Sequence, residues 1–155
     1  MREEKKIKQI LENFRQQLLK RATGKQTKVS SSSSNSSKKK LNIPDKICRA
    51  EQYIYQHLYE KDLDTKKIME YCHTHSNDFS TKFHFYIGET PKRYILILRM
   101  KASKLILLDE ALNEMPIVFI ARYLGFSGKG AFNHFFKKYY GLPPQKWRQD
   151  KLALL

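Results

Sequence analysis

A chain of 155 residues, 41% of them hydrophobic, is long enough for one domain with a real core plus a tail, and too short for two domains of ordinary size. Its formal net charge of +15, from 30 basic and 15 acidic side chains, points to a polyanionic partner such as nucleic acid or an anionic membrane surface. Two cysteines, Cys48 and Cys72, exclude a disulfide framework, and no run approaches the roughly 20 apolar residues of a membrane span, so cytosolic thiols and a cytoplasmic location are expected.

Ile7, Ile10, Leu11, Phe14 and Leu18 recur at helical spacing, which predicts an amphipathic helix over residues 1–22. Two heptads do not make a coiled coil, and the reading preferred to an oligomerisation or membrane-surface helix is a marginal helix, frayed or docked weakly on the domain. Residues 23–42 are rich in Ser and Lys, with five consecutive serines from Ser30 to Ser34 and a basic cluster at Lys38 to Lys40, the composition of a flexible linker. This tail is the denser charge: residues 1–40 carry +9 and residues 41–155 carry +6.

The folded part, residues 43–151, opens at Pro44 and Asp45 with a helix whose apolar face is Ile47, Ala50, Ile54 and Leu58. Leu63 and Asp64 lead into a helix from about Thr65 to Cys72, His73-Thr74-His75 forms a turn, and a second helix runs from about Asn77 to Ile87. Pro91 starts a long helix through Tyr94, Ile95, Arg99 and Leu105 to about residue 112. Pro116 then starts a short helix with Ile117, Ile120, Ala121 and Leu124 on one face, and Gly125 stops it where a left-handed residue belongs. Ser127 is placed to cap a further helix whose apolar face carries Phe132, Phe136 and Tyr139. Helix, tight turn, helix is the helix-turn-helix pattern, expected over about 64–87 and again over about 116–140. No window alternates as a strand does, so the fold class is all-α.

The two units are copies. Phe132, Phe136, Gly141, Pro144 and Trp147 are matched by Phe79, Phe83, Gly88, Pro91 and Tyr94, each 53 positions earlier. Ahead of the turn the offset is 52, pairing Gly125 with His73, so the second turn carries one extra residue. Two copies are a duplicated subdomain, not a solenoid.

At these residues the chain resembles the AraC family of bacterial transcription regulators, through Ile120-Ala121, Gly125-Phe126-Ser127, Phe132 to Phe136-Lys137-Lys138, Gly141 to Pro144 and Trp147-Arg148. The resemblance covers roughly residues 41–148. It implies two helix-turn-helix subdomains joined by a long connecting helix, in a sequence-specific regulator that lays each second helix in a major groove, the grooves about one turn or roughly 34 Å apart. Asn77, Ser80 and Thr81 are then the base-reading candidates of the first helix, and Lys129, Asn133 and His134 those of the second. Phosphate contacts are expected from Lys92, Arg93, Lys137, Lys138, Lys146 and Arg148. Double-stranded DNA is the expected partner of a monomer or weak dimer, with RNA polymerase a further candidate.

The chain departs from the family pattern at His73, where the second copy has glycine, at His75 in a capping position that Ser76 can take over, and at Gly130 and His134 in the second recognition helix. Its connection between Arg99 and Pro116 is longer than usual. Cys72, His73, His75 and His84 are metal-ligand types crowded at a turn without the paired spacing of a zinc site, so they read as a buried thiol and solvated imidazoles, with no metal or cofactor implied. No nucleophile stands with a positioned base, so no catalytic residue is expected. The alternative is a protein-interaction or accessory module that keeps the fold and binds DNA weakly, favoured by His73, Gly130 and an outward Phe85 where the second copy has Lys138.

Overall fold

Helix entries at Asp, Thr and Pro and exits at Gly punctuate this chain, because the first turn of a helix has N–H groups to satisfy and its end favours a left-handed residue. The structure, a computed structural model, describes residues 2–26, 42–75 and 77–154. Among these residues it is all helical, in the order α1 (Arg2–Gln26), α2 (Asp45–Gln56), α3 (Thr65–Tyr71), α4 (Phe79–Ile87), α5 (Pro91–Leu107), a 3-10 turn (Glu110–Leu112), α6 (Ile117–Tyr123), α7 (Lys129–Tyr140) and α8 (Pro144–Leu152). Asp64 caps α3 by accepting from the Lys67 N–H at 2.9 Å, and Thr90 caps α5 by accepting from the Arg93 N–H at 3.4 Å. No helix of the described residues is long and apolar enough to cross a membrane.

The sequence repeat is a structural repeat. Two apolar cores form, one from α2, α3, α4 and the start of α5, the other from the rest of α5 with α6, α7 and α8. Phe79 and Phe83 are buried in the first, Phe132 and Phe136 in the second. Gly88 (φ 94°) and Gly141 (φ 84°) end α4 and α7 in the left-handed region. Tyr94 then meets Phe83 edge-on with centroids 5.8 Å apart, and Trp147 meets Phe136 edge-on at 5.7 Å. Matched residues thus make matched contacts, which is why the 53-residue offset survives in the sequence.

The connecting helix divides between the cores, giving Ile95 and Leu98 to the first and Met100, Ala102, Ile106 and Leu107 to the second. It ends at Leu107, short of the expected residue 112, and a 3-10 turn follows, where the Asp109 carboxylate accepts from the Ala111 N–H at 3.0 Å.

The N-terminal helix is where the structure departs most from the sequence reading. Instead of docking weakly, α1 completes both cores: Ile7 and Leu11 enter the second, Leu18 and Ala22 enter the first, and Phe14 packs against both. Full burial of an aliphatic side chain is worth about 1.5–3 kcal/mol, so several together order a helix that would be marginal in isolation. Polar ties reinforce it: the Tyr59 hydroxyl donates to the Leu11 carbonyl at 3.1 Å, Arg15 donates to the Gln56 carbonyl at 3.2 Å, and Lys6 pairs with Asp109 at 2.7 Å. Residues 23–26, expected in the linker, continue α1, and residues 27–41 lie outside the described residues.

Two smaller expectations change. Tyr139 is 44% exposed, and Tyr140 takes the inward position, its hydroxyl donating to the Met100 carbonyl at 3.0 Å. Helix α7 begins at Lys129 with Gly128 in the capping position and no side-chain cap, so Ser127 does not cap it. In the first core, Glu51 is buried and accepts from the hydroxyls of Tyr55 (2.5 Å) and Tyr94 (2.9 Å), and burial pushes both phenols well above their ordinary pKa.

Candidate nucleic-acid interface

The second helix of each unit carries one face buried on its phenylalanines and another facing solvent. On α4 the outward residues Thr81, His84 and Phe85 are exposed and Ser80 is half-buried. On α7 the outward stripe is Lys129, Gly130, His134, Lys137 and Lys138, all exposed, with Asn133 half-buried among them. Lys137 and Lys138 occupy the last turn, where the helix dipole favours cations.

The two helices are not equal. Helix α4 begins at Phe79 and α7 at Lys129, so α4 lacks the first turn that α7 has, and Asn77 sits exposed in the turn ahead of α4. Ser76, the expected cap, lies outside the described residues; Asp78 occupies the capping position without a side-chain cap and instead pairs with Lys82 at 2.9 Å. On α7, the Asn133 Oδ1 is buried and accepts no hydrogen bond, an uncommon state for a carbonyl acceptor. His134 is exposed and stacks edge-on against Phe135 with centroids 5.3 Å apart.

The turns of the two units solve one problem in different ways. His73 has φ 49° and Gly125 φ 83°, so both turns cross from one helix to the next through the left-handed region. A Cβ on Gly125 would stand 2.7 Å from the Tyr59 carbonyl oxygen and 2.9 Å from an Arg99 nitrogen, closer than atoms approach, so glycine is required there twice over. His73 is exposed and its side chain has room, which leaves only the backbone cost.

Arg99 explains the crowding. Buried at the middle of α5, its guanidinium donates to the carbonyls of Leu58 (2.8 Å), Glu60 (2.6 Å) and Gly125 (3.1 Å), joining the first unit to the turn of the second. Burial lowers its pKa to about 10, which still leaves it charged at neutral pH. The sequence signal for this clasp is a lone cation interrupting an apolar helical stripe of Ile95, Leu98 and Ala102. Beside the clasp a cleft of about 390 Å³ separates the units, lined by Lys61, Lys92, Ser127 and Phe135 among others.

Of the expected phosphate contacts, Lys92, Arg93, Lys137, Lys138 and Lys146 are exposed. Arg93 pairs with Glu89 at 2.8 Å, a surface pair that phosphate can replace. Arg148 does not belong to the set. It is buried, donating to the carbonyls of Met115 (2.7 Å) and Leu112 (3.4 Å) and to the Gln145 side chain (2.6 Å), with burial holding its pKa below the usual value. Its charge holds α8 against the connection between α5 and α6, and a side chain so engaged cannot reach a phosphate.

The sequence pattern of the family described as "Helix-turn-helix domain" matches residues 68–150, more than half of the 155-residue chain. The chain belongs to the AraC-type helix-turn-helix family. Over 96 residues this AraC-type chain is 35% identical to the uncharacterized HTH-type transcriptional regulator YobQ of Bacillus subtilis, a match covering 62% of this chain and 38% of YobQ. Over 92 residues it is 27% identical to the HTH-type transcriptional regulator GbdR of Pseudomonas aeruginosa, covering 59% of this chain and 24% of GbdR. The chain therefore spans 38% and 24% of the lengths of these curated relatives. Among solved structures, the C-terminal domain of AraT, a response regulator from Geobacillus stearothermophilus, superposes with a TM-score of 0.64 at 26% identity, covering 70% of this chain and 88% of that one. The DNA-binding domain of the transcriptional factor AdpA, solved with a target DNA, has the same fold, with a TM-score of 0.63 at 18% identity over 71% of this chain and 96% of that one. Helix α1 lies outside the family-matched residues.

Proposed function

We propose that this chain is a sequence-specific double-stranded DNA-binding transcription regulator that lays α4 and α7 in successive major grooves on one side of a duplex. The observation that carries the reading is the duplication itself: two outward-facing helices of one design are held in a single frame by α5 and the Arg99 clasp. One chain can therefore engage two grooves as a monomer and read an asymmetric site. Residues 43–151 form the DNA-binding unit on this reading, and its role is binding, with no catalytic step.

Asn77, Ser80 and Thr81 read base edges from the α4 side, and Lys129, Asn133 and His134 from the α7 side, while Lys92, Arg93, Lys137, Lys138 and Lys146 meet phosphates. The unpartnered Asn133 Oδ1 supports a side chain that turns outward on binding, because pairing with adenine N6 and N7 would satisfy an acceptor that the protein leaves bare. The short α4, with His84 and Phe85 where α7 has Lys137 and Lys138, gives the first unit less phosphate affinity. RNA polymerase is the candidate protein partner once DNA is bound.

The test is selection of bound duplexes from a random pool, followed by a reporter carrying the selected site. Two blocks of preferred base pairs with centres about 10–10.5 base pairs apart are expected, with affinity falling as salt rises. Enrichment of no sequence would overturn this reading in favour of an accessory module that keeps the fold, for which the 68% exposed Phe85 would be the contact.

A further inference from the structure

Helix α1 crosses the junction between the two units, and it does so in the opposite sense to α5. Its early residues Ile7 and Leu11 sit in the second core and its later residues Leu18 and Ala22 in the first, whereas α5 enters the first core with Ile95 and leaves through the second with Ile106. From position 7 to position 22 a straight helix spans about 22 Å. Phe14, midway, packs against both cores, and the Tyr59 hydroxyl ties the Leu11 carbonyl to the segment that Arg99 also grips. The connecting helix and the Arg99 clasp join the units near one place, the middle of α5, and leave them able to bend and twist about it. Two antiparallel helices, each anchored at both ends, close that frame: rotating one unit against the other must pull one end of α1 out of its core.

We propose that α1 is a strut that sets which half-site spacing this chain accepts, resting on the two-groove reading above. Helix α1 lies ahead of the family-matched residues 68–150. Inserting one base pair between half-sites moves the far one by about 3.4 Å and turns it by about 35° about the duplex axis. A frame closed by α1 cannot follow that movement, and an open one hinged at α5 can follow part of it.

The residue to change is Gln17, exposed and lying between the anchors Leu11 and Leu18, so that its backbone N–H reaches back one turn to residue 13. Gln17→Pro removes one backbone hydrogen bond and kinks α1 while leaving both apolar ends in place. Gln17→Ala is the straight control, and Gln17→Gly is the milder break should the proline variant not fold. On duplexes selected by the unaltered chain, a one-base-pair insertion should weaken binding of that chain and of Gln17→Ala by about tenfold or more, and of Gln17→Pro by about threefold or less. A spin-label pair on α4 and α7, at positions 82 and 138, gives a readout independent of DNA: its distance distribution should be narrow in Gln17→Ala and broad in Gln17→Pro. Equal insertion penalties in the two variants, or equally narrow distributions, would overturn the strut. Should selection enrich only one block of base pairs, the two-groove reading fails, the spacing role fails with it, and the label distances alone decide whether α1 rigidifies the frame.

Discussion

The turn of the first unit holds a histidine in the left-handed region and the turn of the second holds a glycine, and the difference lies in what stands beside each. His73 faces solvent, so its only cost is the backbone conformation, about 1 kcal/mol or more. Gly125 lies under the Tyr59 carbonyl and the Arg99 guanidinium, where the second unit is fastened to the first. One backbone conformation thus serves as a plain turn in one copy and as an inter-unit joint in the other, and only the joint forbids a side chain.

The sharpest way to break this comparison is Gly125→Ala, which adds left-handed strain and displaces Arg99 from its carbonyls; a loss of about 3–4 kcal/mol in urea unfolding is expected. Next come the two ends of α1. Ile7→Ala acts on the second core and Leu18→Ala on the first, each expected to cost about 2–3 kcal/mol. Both should lower the midpoint of a single unfolding transition; two separate transitions would show that α1 does not couple the units. Within the second unit, Arg148→Ala should cost about 2 kcal/mol of stability by leaving buried carbonyls unmet, while Lys146→Ala should leave stability within about 0.5 kcal/mol and lower the salt dependence of DNA binding by about one counterion.

Base reading sharpens the comparison between the two recognition helices. Alanine at Asn133 or His134 should remove about 1–2 kcal/mol of discrimination at one or two base pairs of one block, and alanine at Asn77 or Thr81 should do so in the other. If only one pair of changes alters preference among selected duplexes, the other helix anchors without reading. The smallest effect is expected at the first turn: His73→Gly relieves the left-handed strain but loses entropy on folding, for a net gain of up to about 1 kcal/mol. A loss of stability there would mean that the His73 side chain makes a contact that outweighs its strain.

Much of this was legible because the features are local or repeated. Gly88, Gly125 and Gly141 stand at left-handed positions whatever surrounds them, and Phe79 with Phe83 and Phe132 with Phe136 mark a buried helical face by spacing alone. The left-handed conformation of His73 followed from its alignment with Gly125. The errors over α1, Arg148 and Tyr139 share a cause, since each concerns a partner distant in sequence. Arg148 stands among the expected phosphate contacts, and the carbonyls it meets belong to residues 112 and 115. Tyr139 and Tyr140 are neighbours, and which of them turns inward depends on α5.

By itself, then, the sequence determined the two helix-turn-helix units, their internal equivalence, the family and the outward stripe of the second helix, because periodicity, turn chemistry and a duplicated pattern are carried by residues close together in the chain. The tertiary structure decided how the units are joined: that Arg99 clasps one turn, that Arg148 is internal, and that α1 belongs to both cores. An apolar stripe records that a helix has something to bury, and the period of that stripe is the same whatever it is buried against.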